Sequence, residues 1–351
     1  MSPARATLAT LLTLLLSAAG GFLGNALGIP AGWIMGGALA TSIGAMAGIP
    51  VLVPTWLRDV GFVMVGMAMG ATVARDSLML IPRWPVSLLA LALELVIIIA
   101  TTGWMLQRFF RLDPGTAYLS SFPGHLSFVM GIASAGVGNA RQIAIIQVIR
   151  ILMLIIVVPV GALFLPIQHF TQPTGVELIA PWQLLLLAAV CTAAGFVFLR
   201  LKVPAAFVLG AMAAATLAKL GGVFTGALPP PLTIATYVMT GALTGSRFAG
   251  ISRSEFAKAA LGGIIATGMT VCIVTAIAYA VSQLVAMPFG QIWLGLSPGA
   301  LEGMGALGVA MGYDTAFIAA HHVIRLLMLS LAIPAVVVAI RRRELRLDLD
   351  R

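Results

Sequence analysis

The chain predicts an all-α integral membrane protein, a duplicated inverted-repeat helical bundle of about ten transmembrane helices plus two re-entrant Pro-Gly hairpins. Three observations predict it: an apolar composition, apolar runs of bilayer length, and residue sets that recur at one fixed offset. The 351 residues are 60% hydrophobic and 9% charged, with a mean hydropathy of +1.08. Such a chain lacks the polar surface that a soluble protein of its length needs. Strand alternation is missing, and apolar runs of about 20 residues suit helices and not a barrel.

The repeat is read by position. Pro123-Gly124, Arg150 and Pro159 correspond to Pro298-Gly299, Arg325 and Pro334 at an offset of 175. Gly66 and Gly70 pair with Gly241 and Gly245 at the same offset, while the block from Pro30 to Gly36 pairs with that from Pro204 to Gly210 at 174. One duplication, with one inserted residue, accounts for all of these. It divides the chain into a membrane repeat at 1–168, a connecting loop at 169–180, a second repeat at 181–340 and a basic cytoplasmic tail at 341–351.

Each half reads as six segments in order. A long helix (7–27) comes first, a Gly-rich helix after Pro30 (31–48) second, and a helix rich in small residues (58–74) third. A fourth helix (84–106), a Gly-rich Pro-Gly segment (115–138) and a last helix (142–166) complete the half. The second half repeats them near 181–200, 204–219, 232–246, 258–283, 291–312 and 316–340. The start, Arg5 and an apolar run to Ala19, imitates a signal peptide. Its counterpart at Trp182–Phe198 lies mid-chain, so the first segment reads as a helix of the bundle.

Whether the Pro-Gly segments cross decides between parallel and inverted repeats, and loop arginines and lysines discriminate. With twelve crossings and parallel repeats, basic residues divide 10 inside to 8 outside. With hairpins that enter and leave on one side, the division is 15 to 3, leaving only Arg75, Arg83 and Lys219 outside. Inverted repeats follow, with both termini cytoplasmic. Arg108 and Arg111 in one loop, against an uncharged partner loop at 284–290, fit opposite faces. Five of the 20 basic residues lie in the last 11 positions, so the net charge of +9 marks a topology anchor and not a nucleic-acid surface. Cys191 and Cys272 lack metal-ligand spacing and read as packing residues.

The Pro-Gly segments carry the chemistry. Pro123 and Gly124, flanked by His125 and Ser127, and Pro298 and Gly299, followed by Glu302, stand where a helix would otherwise continue. Proline removes a donor and glycine permits unusual angles. Broken backbone is tolerated within a bilayer only where protein or a wet cavity satisfies it, so two matching breaks predict one shared site near the midplane. Helices that resume after each break offer free amides suited to an anion.

Arg150 and Arg325 lie deep in apolar runs, where a charge costs at least about 2.5 to 3.5 kcal/mol. They either brace the hairpins through carbonyls and carboxylates or contact substrate. Glu302 takes the place of Ser127 and is a candidate for a coupling proton or a sodium ligand, or else for a salt bridge to one of the arginines. Glu94 interrupts Leu88–Ile99, and its counterpart is Met269, which makes it a secondary candidate. His321 and His322 precede Arg325, with His322 at the repeat position of Gln147; packing and titration are both open to them. Asp314 matches Asn139 and reads as a hairpin-end residue. The two GxxxG motifs specify close helix packing and nothing about substrate.

The repeated block after Pro30 and Pro204, the GxxxG helices, the Pro-Gly hairpins and the arginine helices together resemble the AbrB family of bacterial membrane proteins, over nearly the whole chain. Members carry labels as different as ammonia monooxygenase, transport protein and regulator of gene expression. The resemblance implies an inner-membrane protein. The family hairpins run like PGGLSEM, so His125 stands here for a glycine and Phe128 for an acid.

The preferred reading is a secondary transporter of a small anionic or nitrogen-containing solute, with H+ or Na+ as coupling ion, no cofactor, no bound metal, and a homo-oligomer as an open arrangement. A monooxygenase would need a copper or iron site, for which four histidines are a poor ligand set, so no enzyme is expected. Direct DNA binding has no helix-turn-helix or soluble basic domain to carry it. An indirect effect on gene expression stands as the alternative.

Overall fold

In a computed structural model, residues 2–29, 31–73, 81–124, 126–162, 178–224, 226–251 and 253–349 are described. Pro30, Arg75, His125 and most of the 169–180 connection lie outside them, as does the side chain of Ser127. Among the described residues the chain forms fourteen α-helices and no strand. The first seven are α1 (Pro3–Ala26), α2 (Gly32–Met46), α3 (Thr55–Thr72), α4 (Trp84–Phe110), α5 (Pro114–Ser121), α6 (Leu126–Ser134) and α7 (Ala140–Ala162). The others are α8 (Pro181–Arg200), α9 (Ala206–Leu220), α10 (Pro230–Ser246), α11 (Arg253–Leu284), α12 (Phe289–Leu296), α13 (Leu301–Met311) and α14 (Thr315–Leu349).

Five of these helices (α1, α4, α8, most of α11 and α14 through Val338) are long and apolar enough to cross a membrane. Leu15, Leu89, Leu185, Leu261 and Leu331, one on each, are between 61% and 79% exposed. Leucines turned outward along whole helices have a favourable environment in lipid and not in water. The 15-residue α2 and α9 are shorter, about 22 Å each at a helical rise of 1.5 Å per residue. Both begin after an alanine in left-handed conformation, Ala31 at φ 51° and Ala205 at φ 51°.

The small-residue helices exchange partners between the two halves of the chain. α3 packs along α9, and α10 packs along α2. Glycine is required at these crossings because the neighbouring backbone occupies the space of a side chain. A Cβ on Gly70 would run into Ala215 and Thr216 of α9, and one on Gly245 into Thr41 and Ala38 of α2. Ala215 and Thr41 stand 174 residues apart, so the two crossings use matching positions on both sides.

The Pro-Gly segments are broken helices. α5 ends at Ser121 and α6 starts at Leu126; α12 ends at Leu296 and α13 starts at Leu301. The two ends of each broken segment meet. The Asn139 amide donates to Thr116 Oγ1 at 2.7 Å, and the Asp314 amide donates to Gln291 Oε1 at 3.3 Å. Those pairs are also 175 residues apart. In each case the chain leaves the segment beside the point where it entered. Asn139 and Asp314 then accept from the first turn of the following helix, through Gln142 N and Ala316 N, as hairpin-end residues do.

The last helix departs from its expected end. The basic stretch 341–349, read as a tail, continues α14 as helix to Leu349. Arginine, leucine and glutamate propagate a helix readily, so charge alone does not end one.

Candidate functional site

Each buried arginine closes the break of its own half. Arg150 on α7 donates from Nη1 to Phe122 O at 2.7 Å, and Arg325 on α14 donates from Nη1 to Ser297 O at 2.7 Å. Arg325 also reaches Leu296 O at 3.3 Å and Gly299 O at 3.2 Å. Those carbonyls lose their helical partners where Pro123 and Pro298 interrupt the ladder, and a guanidinium supplies several donors at once. Of the two roles open to the arginines, bracing through carbonyls is therefore visible in the geometry.

The first break has an additional strut. Gln147 donates from Nε2 to Leu119 O and Phe122 O, both at 3.1 Å, and its Oε1 accepts from Arg150. His322 occupies the corresponding place in the second half but turns its Nδ1 to Ile318 O of its own helix at 2.9 Å. Its Nε2 has no partner, and neither does the Nε of Arg150 or of Arg325.

The breaks converge. Gly124 and Leu126 from the first, and Pro298, Gly299 and Glu302 from the second, line one cavity of about 170 Å³ together with Arg150, Arg325 and His322. Of the residues singled out in the sequence, seven therefore share this space. Pro123 is buried next to it. Arg150, Arg325 and His322 are all more than nine-tenths buried.

Glu302 does not pair with either of those arginines. Its partner is Arg247, at the end of α10, with Nη2 to Oε1 at 2.6 Å, and Arg247 also lines the cavity. Sequence reasoning missed Arg247 by placing it among the loop cations that set topology. The available signal was its position two residues beyond Gly245, at the end of a helix whose glycine face is buried. Ala205, the left-handed residue before α9, is a second cavity neighbour that the sequence did not single out.

Glu94 is fully buried on α4, and neither carboxylate oxygen has a hydrogen-bond partner. It interacts electrostatically with Arg325 without entering the cavity wall. His321 lies on the far side of α14 from the cavity, its Nε2 at 2.8 Å from Ser87 Oγ and its ring against Phe317. This is a packed, hydrogen-bonded histidine. Cys191 is buried and donates to Ala211 O, as a packing residue would, while Cys272 is exposed.

Fold and site together define a class: an all-helical, membrane-type protein with two broken helices braced around one cavity that buried arginines line. The chain belongs to the AbrB family, since the family model described as transition state regulatory protein AbrB matches residues 33–341. It is 25% identical over 358 residues to the uncharacterized protein YhjN of Bacillus subtilis strain 168, covering 91% of this chain and 90% of that one. It is also 25% identical over 332 residues to a candidate regulator named AbrB from Escherichia coli strain K12, covering 93% of each.

Proposed function

We propose that the protein is a secondary transporter of a small solute, with the cavity between the two breaks as its central site. The observation that carries this reading is the convergence of Gly124, Pro298 and Gly299 with Arg150 and Arg325 on one cavity. Helix breaks that face each other across a shared cavity are the arrangement carriers use to grip a solute midway through a bilayer. Ionisable side chains buried within a bilayer are costly, and a set of them around a shared cavity is characteristic of a solute or ion path.

The reading includes inverted repeats with ten crossings and two re-entrant hairpins, in a bacterial inner membrane with both termini cytoplasmic. The paired ends of each broken segment support the hairpins. Rocking of one repeat against the other would then open the cavity to either side, driven by H+ or Na+, in a monomer or a homo-oligomer. The protein is a carrier in this account and not an enzyme. A regulatory role, such as the name of the E. coli relative carries, would follow indirectly from moving a metabolite.

Uptake into proteoliposomes, across a panel of carboxylates, amines and ammonium, tests the proposal. At least one solute should accumulate in wild type and be lost in Arg325→Ala and Glu302→Gln. Uptake that persists unchanged in both variants would place the path elsewhere.

A further inference from the structure

The cavity has an unbalanced charge and an unsatisfied set of nitrogens. Three arginines line it, Arg150, Arg247 and Arg325, against the one carboxylate of Glu302, which Arg247 holds at 2.6 Å. Glu94 lies behind the wall on α4, with no hydrogen-bond partner on either carboxylate oxygen. Arg150 and Arg325 are held by carbonyl and amide oxygens and by no carboxylate, so positive charge predominates in the lining. Ammonium or an amine would meet cations there and find no free acceptor of opposite charge.

Size and lining narrow the class. At roughly 30 Å³ per water, 170 Å³ holds about six waters or a solute of similar bulk. Leu126, Ile151, Leu301 and Leu326 add apolar surface to the lining beside the arginines. A carboxylate head with a short aliphatic tail matches both surfaces, whereas a fully hydrated inorganic anion matches only one.

His322 adds a proton. Its Nδ1, 2.9 Å from Ile318 O, must carry hydrogen to donate there, so the neutral ring, which lines the cavity, keeps a lone pair on Nε2 with no partner. A carboxylate oxygen cannot sit against that lone pair until Nε2 is protonated. The charged and titratable groups around the ring are Arg325 and His321 on its own helix, Arg150 on α7, Arg247 on α10, Glu302 on α13 and Glu94 on α4. His321 has both nitrogens occupied, and Glu302 is engaged with Arg247, which leaves His322 as the open proton acceptor in the cavity wall.

We propose that the cavity takes one small monocarboxylate together with one proton, the proton residing on His322 Nε2 while the anion is bound. This deepens the transporter reading and rests on it. The proton forms an N–H bond as the anion enters and leaves as the anion departs, so the cargo is electroneutral overall.

Titration of the purified protein in lipid nanodiscs, by calorimetry with straight-chain monocarboxylates of two to six carbons, tests it. Phosphate and methylammonium serve as comparison ligands. At least one monocarboxylate should bind at a single site, with affinity falling up to tenfold for each unit that pH rises, as uptake of one proton requires. In His322→Gln the amide still offers a donor, so binding should persist with the pH dependence gone. Monodisperse wild type that binds none of these acids, or that binds methylammonium or phosphate instead, overturns the proposal, as does an unchanged pH slope in His322→Gln. Binding without uptake in liposomes keeps the site and sinks the carrier reading; uptake of some other solute without carboxylate binding does the reverse.

Discussion

Arg150 and Arg325, 175 residues apart, each donate a 2.7 Å hydrogen bond to the carbonyl at the end of a half-helix, Phe122 O for the one and Ser297 O for the other. The pairing ties the most costly charges in the chain to its weakest backbone.

Replacing either arginine by lysine should therefore weaken the fold. An ammonium is a point donor and cannot hold the separate acceptors that one guanidinium fork reaches. Hydrogen bonds to charged groups contribute about 1.5 to 3 kcal/mol each, so Arg150→Lys and Arg325→Lys should each lower the thermal midpoint in detergent clearly below wild type. Midpoints equal to wild type would mean that the breaks hold without their braces.

The Arg247–Glu302 pair, 2.6 Å apart and mostly buried, should behave as a unit. Charge reversal at either position should destabilise, and the double reversal Arg247→Glu with Glu302→Arg should recover part of the loss. A coupling of about 0.5 to 3 kcal/mol in the double-mutant cycle is expected for residues in direct contact. Additive losses would dissolve the pair.

At the helix crossings, Gly70→Ala and Gly245→Ala should both be destabilising, by about 1 to 3 kcal/mol each. A Cβ on Gly70 would lie 2.7 Å from that of Ala215 and 2.9 Å from the Thr216 amide; one on Gly245 would lie 2.9 Å from Ala38 O. Thermal denaturation of the two variants measures this. A loss at one crossing only would show that the two are not mechanically equivalent.

Topology has its own check. With Cys191 and Cys272 replaced, single cysteines at Arg108 and Ala286 should be labelled from opposite faces of the membrane by an impermeant thiol reagent. Labelling from one face would restore parallel repeats.

Much of this site was legible because breaks and buried charges are local signals. Pro123-Gly124, Pro298-Gly299, Arg150 and Arg325 stand out in apolar surroundings whatever they touch. Partners were harder. Arg247 lies 55 residues from Glu302 and reads as an ordinary helix-end cation, since nothing local says which acid it meets. Closure of each hairpin through Thr116 and Gln291 was equally hidden, because hydroxyl and amide groups are common near helix starts. Span counting suffered for a physical reason too. α2, α9 and α10 are only 15 to 17 residues long, and α3 carries Arg58 and Asp59 with its glycines, so fewer helices are long and apolar enough to cross than the repeat pattern implies.

The central claim is that one cavity between the two breaks serves both sides of the membrane. Accessibility of a single cysteine at Ala300, in the cavity wall between Gly299 and Leu301, tests it most directly. In vesicles of known orientation, an impermeant thiol reagent should reach Ala300→Cys from either face, with labelling slowed when a bound solute fills the cavity. Labelling from one face only, or from neither under any condition, would contradict the account.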